Sequence, residues 1–312
     1  MIVAALDIGS NSIRLLIAES TPDGLEIICS FKEKVKLGAG LDDQNQLTEQ
    51  AIGRGRKSLG RLLKHLNDHQ VEKLFCVATN AIRLANNRRD FIQMAEQTLM
   101  HPVHVISGDT EAELIWKGIE AERMTTGTGL VVDIGGGSTE FAVAAEGSDK
   151  LITLSLQMGC VSYSLAHIRD GKLTKRNFQN AIAAAKSMLA PHVQQLLPLP
   201  DAPTIGAAGT LESISLLSRE MFPSAKGVIE IHQLDDMIDR LIEHGDTSNL
   251  PYHSLDENRK QILPAGICIC KAIMEDLSID EIVIAKAELC EGVLVESLGV
   301  GIKSLIPRYP AS

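Results

Sequence analysis

A chain of 312 residues, 45% hydrophobic and 22% charged, is long enough for two ordinary domains with full cores and has the balance of a globular protein. A formal net charge of −10 and an aromatic content of 3% argue against a nucleic-acid partner, which needs basic surface and stacking platforms. Any polyanionic substrate must then be held by a local basic lining, and no apolar run approaches a membrane span, since even Ile262 to Met274 is broken by Lys271.

The N-terminus reaches Asp7 through an apolar run with no basic leader, so it reads as a strand and not as a signal peptide. Residues 2–6, 13–18 and 25–35 are expected to form a three-stranded antiparallel start, joined by a Gly9 turn and by Pro22-Asp23-Gly24. Lys32, Lys34 and Lys36 alternate and would share one face of the third strand, as solvated surface or as a substrate contact. From Thr48 to His69, Ile52, Leu59, Leu62, Leu63 and Leu66 fall near one side of a helix that Thr48 can cap. The other side carries Arg54, Arg56, Lys57, Arg61 and Lys64, either a solvated face or a track for an extended polyanion.

A strand over 72–78 leads into Thr79-Asn80-Ala81-Ile82-Arg83, a turn in which Arg83 could wall a phosphate, while Arg88 and Arg89 read as solvent-facing. After a helix over 90–100 and a strand over 103–106, Thr110 and Glu113 have the spacing of a capping box for a helix to about Met124. Glu111 falls in its first turn, where the helix dipole favours the ionised carboxylate that a general base needs; an ordinary N-terminal glutamate is the alternative. Thr125 to Gly129 reads as a hinge.

The densest chemistry follows. Leu130 to Ile134 is an apolar run holding Asp133, and Gly135, Gly136, Gly137, Ser138, Thr139 and Glu140 come directly after. Glycines let successive N–H groups cradle phosphoryl oxygens, and the hydroxyls add donors. A carboxylate at each end of such a cradle would repel a phosphate unless a divalent metal or an activated water intervenes. The pattern also occurs at the start of the chain: Asp7 aligns with Asp133, Gly9 with Gly135, Ser12 with Ser138 and Arg14 with Glu140. The chain therefore reads as an internal duplication, two similar lobes facing each other across a cleft.

Segments 141–145 and 150–157 continue the second hairpin, and 174–197 is helical before Pro198, Pro200 and Pro203 interrupt. Thr204 to Glu212 reads as strand, glycine turn and helix start, with Gly209 and Thr210 as a further anion cradle. Helices over 233–244 and 257–276, a strand over 281–285 and a helix from about 288 complete the chain. The six cysteines show no C-x-x-C pair and no Cys/His ligand spacing, as expected for reduced core residues of a cytoplasmic protein.

The ordered set of Asp7 to Ser12, Val35 to Leu41, Ala78 to Asn87, Ser107 to Ala112, Asp133 to Glu140, Met158 to Ser162 and Gly206 to Thr210 resembles the exopolyphosphatase and guanosine pentaphosphate phosphohydrolase (Ppx/GppA) family over nearly the whole chain. The resemblance implies an α/β fold of the actin-like ATPase superfamily, two ribonuclease-H-like domains around a cleft, here 1–125 and 126–312 with the final helix able to pack back on the first. It looks like the short, two-domain form. It also implies Mg²⁺-dependent release of the terminal phosphate from polyphosphate or pppGpp, with a homodimer as the family expectation.

Carried over position by position, the catalytic glutamate falls on Glu111 and a water-holding glutamate on Glu140. Asp133 and Gly135, Gly136, Gly137 and Ser138 match the phosphate and metal loop, Asn11 and Ser12 the first loop, Gly209 and Thr210 the third, and Arg83 the substrate arginine, while Glu140 joins Asp133 as a metal candidate through its place at the other end of the cradle. The chain departs from the family pattern at Lys36, Leu84, Ala207, Ala208, Gln261, Ala285 and Cys290, losing two hydroxyl donors at Ala207 and Ala208. A non-catalytic sensor of (p)ppGpp or polyphosphate and an ATP-binding kinase of the same fold are the competing readings.

Overall fold

The computed structural model describes residues 1–125, 127–144, 150–197, 202–222 and 227–309. Its contacts divide the chain into two units, Met1–Met124 with Lys286–Ser312, and Thr125–Ala285. Of the segments named above, Thr126 of the expected hinge, residue 145, Pro198 and Pro200 lie outside the described residues.

The first unit opens with an antiparallel meander, β1 (Ile2–Ile8), β2 (Ser12–Thr21) and β3 (Gly24–Lys34). Then come α1 (Glu49–Asp68), β4 (Lys73–Ala78), α2 (Asn80–Leu84), α3 (Arg88–Leu99), β5 (His104–Val105) and α4 (Gly108–Ala121). The second unit repeats the plan with β6 (Gly129–Ile134), β7 (Thr139–Ala144) and β8 (Ile152–Leu156). It continues through α5 (Cys160–His167), α6 (Lys175–Leu189), α7 (Val193–Leu196), β9 (Thr204–Ala207) and α8 (Ala208–Met221). β10 (Ile229–Glu230), α9 (Ile231–His244), α10 (Glu257–Asp276) and β11 (Glu281–Ile284) complete it. Finally α11 (Leu289–Leu298) and β12 (Ile302–Ser304) belong to the first unit, where β12 extends the sheet beside β3.

The two sheets run β12-β3-β2-β1-β4-β5 and β10-β11-β9-β6-β7-β8. Reading the second in reverse sets β8-β7-β6-β9-β11 on β3-β2-β1-β4-β5, with antiparallel pairs on one side of the first strand and a parallel neighbour on the other. The duplication holds residue by residue. Asp7 pairs across with Arg14, and Asp133 with Glu140. The Gly9 N–H donates to Ser12 O at 3.1 Å, and the Gly135 N–H to Ser138 O at 2.9 Å.

In the first unit Leu6, Ile8, Ile13, Leu15 and Ile17 are buried with Leu59 and Leu62 of α1 and Phe91 of α3. One face of α1 and its C-cap meets alternate residues of β3 and its exit: His69 reaches Cys29 at 3.5 Å, His65 stacks on Phe31 at 3.7 Å, Arg61 pairs with Glu33, and Arg54, two turns further back, donates to Val35 O at 2.8 Å. This is the meeting of a 3.6-residue with a 2-residue period. It also uses Arg54 and Arg61 of the basic face within the unit, leaving Arg56, Lys57 and Lys64 exposed.

Three local expectations are corrected. Lys36 is not on the third strand; it follows β3 in left-handed backbone, φ 49°, because the N–H groups of Val35 and Lys36 both turn onto Asn11 O. The segment after Thr79 is a short helix and not an open turn. α4 starts two residues before Thr110: Ser107 is its cap, accepting the Thr110 N–H at 3.0 Å, and Glu113 pairs instead with Lys117 at 2.9 Å. The serine wins because its side chain sits three residues ahead of an orphan amide.

α11 packs on α4 at backbone contact. A Cβ added to Gly292 would lie 1.7 Å from Leu114 O, so a larger residue there would force the helices apart.

Candidate active site

In the first unit, the loops that carry the predicted residues leave the same end of the sheet. β1 and β4 are parallel neighbours, β5 lies beyond β4, and the Thr79 N–H donates to Ile8 O. The Gly9 to Ser12 turn, Arg83 and Glu111 follow those three strands in turn. Carbonyls of the turn are held from behind, Asn11 O by Val35 and Lys36 and Ser10 O by Gly38 at 2.8 Å. Asn11 and Ser12 are half-buried.

Arg83 and Glu111 are brought together. The Arg83 Nη1 donates to Glu111 Oε2 at 3.1 Å and to Ile106 O at 2.9 Å. Their side chains are only 20% and 11% exposed, so this charge pair is shielded from the screening that weakens surface ion pairs. Glu111 lies in the first turn of α4, where the unsatisfied N–H groups favour negative charge.

The second unit carries the glycine turn. Asp133 and Glu140 are buried cross-strand partners at the ends of β6 and β7, flanking Gly135 to Ser138. The amides of Cys160 and Val161, at the start of α5, donate to Gly135 O at 3.0 Å and Gly136 O at 2.8 Å. With its carbonyls drawn back, the turn has its N–H side directed the opposite way, since C=O and N–H point oppositely across a trans peptide. Gly159 makes this approach feasible: a Cβ there would sit 2.4 Å from Gly136 O and Gly137 N.

β9 lies beside β6 with Ala207 opposite Asp133, so the start of α8 adjoins the glycine turn. Ala208 holds φ 62° there, a left-handed conformation costing an alanine ~1–2 kcal/mol. No side chain caps α8 and its first turn has no acid. The Thr210 hydroxyl donates to Cys160 Sγ at 3.4 Å, so it is already engaged within the unit. Burial pushes the Cys160 thiol up, against the smaller opposing effects of Arg259 and that hydroxyl, which keeps it neutral behind the turn.

Ser155 has no sequence signal beyond its place in an alternating strand. Register sets it opposite Glu140, and its hydroxyl donates to Glu140 Oε1 at 2.7 Å. Gly159 is legible only as part of a motif.

Among the described residues no three histidine, cysteine or acidic side chains are gathered as a metal cage. Asp133 and Glu140 nevertheless fit Mg²⁺, which takes one or two carboxylates and completes its octahedron with water and substrate oxygens. Like charges directly opposite each other in a sheet are destabilising, and a cation relieves that.

The sequence pattern of the Ppx/GppA phosphatase family matches residues 16–300. The chain belongs to that family. It is 36% identical to the guanosine-5'-triphosphate,3'-diphosphate pyrophosphatase of Vibrio cholerae over 94% of its own length and 58% of that protein, and 33% identical to the Aeromonas hydrophila protein of the same name over 95% and 59%. It thus spans under two thirds of the length of these Ppx/GppA relatives. Among solved structures, the Aquifex aeolicus Ppx/GppA enzyme is similar at 26% identity with a TM-score of 0.75, over 95% of this chain and 99% of that one. An exopolyphosphatase from Cytophaga hutchinsonii shares the fold at 23% identity and a TM-score of 0.84, over 97% and 100%. The actin-like ATPase type of fold expected from the Ppx/GppA motifs is the one observed. No helix among the described residues is long and apolar enough to cross a membrane.

Proposed function

We propose that the chain is a metal-dependent phosphohydrolase that removes the terminal phosphate from inorganic polyphosphate or from pppGpp. The observation that carries this reading is the glycine turn of Gly135 to Ser138 flanked by the cross-strand carboxylates Asp133 and Glu140. The names of the curated relatives point to the same phosphoanhydride chemistry.

In this reading the amides of Gly136, Gly137 and Ser138, with those of Gly209 and Thr210 at the start of α8, bind equatorial phosphoryl oxygens. Arg83 adds charge-assisted hydrogen bonds to the polyanion, and Asn11 and Ser12 contribute the polar edge of the first turn. Glu111 accepts a proton from the attacking water. The water oxygen bonds to the terminal phosphorus as the bond to the bridging oxygen breaks; orthophosphate leaves, and the bridging oxygen stays with the shortened chain or ppGpp. Mg²⁺ held by Asp133 and Glu140 would supply the positive charge that lets phosphate and carboxylates share the site. The cytoplasmic location expected from the scattered cysteines belongs to the same proposal.

Phosphate release from long polyphosphate, short polyphosphate and pppGpp, measured side by side with Mg²⁺ and with EDTA, tests it. Release that needs the metal and no acceptor supports it. Tight retention of a ligand without release replaces it with a sensor, and phosphate transfer only to an added acceptor replaces it with a kinase.

A further inference from the structure

We infer that Ser155 is a positioning residue for Glu140, setting which carboxylate oxygen is presented to the phosphate turn. β7 lies between β6 and β8, so Glu140 has Asp133 on one side and Ser155 on the other. The Ser155 hydroxyl holds Oε1 at 2.7 Å, and Oε2 lies 3.9 Å from where a Cβ on Gly135 would be. The carboxylate thus runs from β8 to the glycine turn. A donor on the β8 side fixes Oε1 there and leaves Oε2 directed to the turn.

The first unit shows what the same row does without this arrangement. There Asp7 is followed across the sheet by Arg14 and Lys32, in the places of Glu140 and Ser155. Asp7 stands opposite an arginine there and not a second carboxylate, so that pair has no two anions for a hydroxyl to hold apart. The Ser155 contact therefore goes with the carboxylate pair of the second unit.

The kinetic arm of the test rests on the phosphohydrolase reading; the unfolding arm does not. Ser155→Ala is expected to lower kcat about 10- to 100-fold, the usual loss when a partner that orients a ligating or reacting group is removed, with KM changed little. Ser155→Thr keeps the donor and should recover most of the rate. In a Glu140→Gln background, Ser155→Ala should cost no further rate. A wild-type rate in Ser155→Ala, or an independent loss in the double variant, overturns the inference. If the unsubstituted chain releases no phosphate from any substrate, the phosphohydrolase reading fails, and urea unfolding of the unsubstituted chain, Ser155→Ala, Glu140→Gln and their double variant decides alone. Non-additive midpoints for Ser155→Ala and Glu140→Gln support the contact; additive ones overturn it.

Discussion

Arg14 donates from its two terminal nitrogens to the two oxygens of Glu291, each at 2.7 Å, and lies 3.5 Å from Glu288. Burial alone would lower the guanidinium's affinity for its proton, but Glu291 and Glu288 hold it well above its ordinary value. The pair joins β2 to α11, where Gly292 already brings α11 against α4. Removing one partner of a buried pair leaves an uncompensated charge, so Arg14→Met is expected to cost about 3–5 kcal/mol in urea unfolding. Arg14→Met with Glu291→Gln should cost less than the two single changes summed. A loss within about 0.5 kcal/mol for Arg14→Met would show that the pair is not holding the helix.

Glu111→Gln keeps shape and removes the basic oxygen. The rate should fall about 10²- to 10⁴-fold while polyanion binding holds or improves. Glu113→Gln is the control: it breaks an exposed pair with Lys117, worth about 0.3–0.5 kcal/mol, and should keep its activity. If the activities come out the other way round, the base is on the wrong residue.

Arg83 contacts Glu111 as well as its proposed phosphate, so its replacement separates two roles. Arg83→Ala should raise KM by about 10-fold or more, the loss of a charged hydrogen bond worth about 1.5–3 kcal/mol, with a smaller fall in kcat. An unchanged KM with collapsed kcat would mean that Arg83 serves Glu111 and not the substrate.

EDTA should abolish phosphate release and added Mg²⁺ should restore it. Asp133→Asn and Glu140→Gln should each raise the Mg²⁺ concentration needed for half-maximal rate. Full turnover in EDTA rules out the metal assignment.

Gly159→Ala places a methyl group where only 2.4 Å separates it from the glycine turn, and the obstacle is backbone, which cannot swing aside. Stability should fall by about 1–3 kcal/mol, the usual range for overpacking, and KM for the polyanion should rise as the turn shifts. Gly53→Ala, with nothing within 4 Å of the added carbon, should change neither KM nor kcat.

The amino-acid sequence by itself determined the order of the longer strands and helices, because turn glycines and hydrophobic periods are local, but not α2, α5, β10 or β12. It also revealed the duplication, because Asp7 and Asp133 open the same string of residue types. The candidate glycine turn was legible for the same reason, since Asp133 to Glu140 is contiguous, whereas the first-turn position of Glu111 also suits an ordinary N-terminal glutamate and its candidacy came from the resemblance. Local spacing was less reliable where two side-chain acceptors competed for a cap, as when Ser107 capped α4 in place of Thr110.

Only the tertiary structure decided which residues meet at long range. Arg83 and Glu111 are 28 positions apart, and Arg14 and Glu291 are 277 apart. Ser155 carries no motif, yet β7–β8 register sets its hydroxyl on Glu140. The return of residues 286–312 to the first unit likewise depends on a glycine contact and a buried ion pair between distant segments. Pairing partners are selected by sheet register and packing over the whole unit, and neither is encoded in the spacing of neighbouring residues.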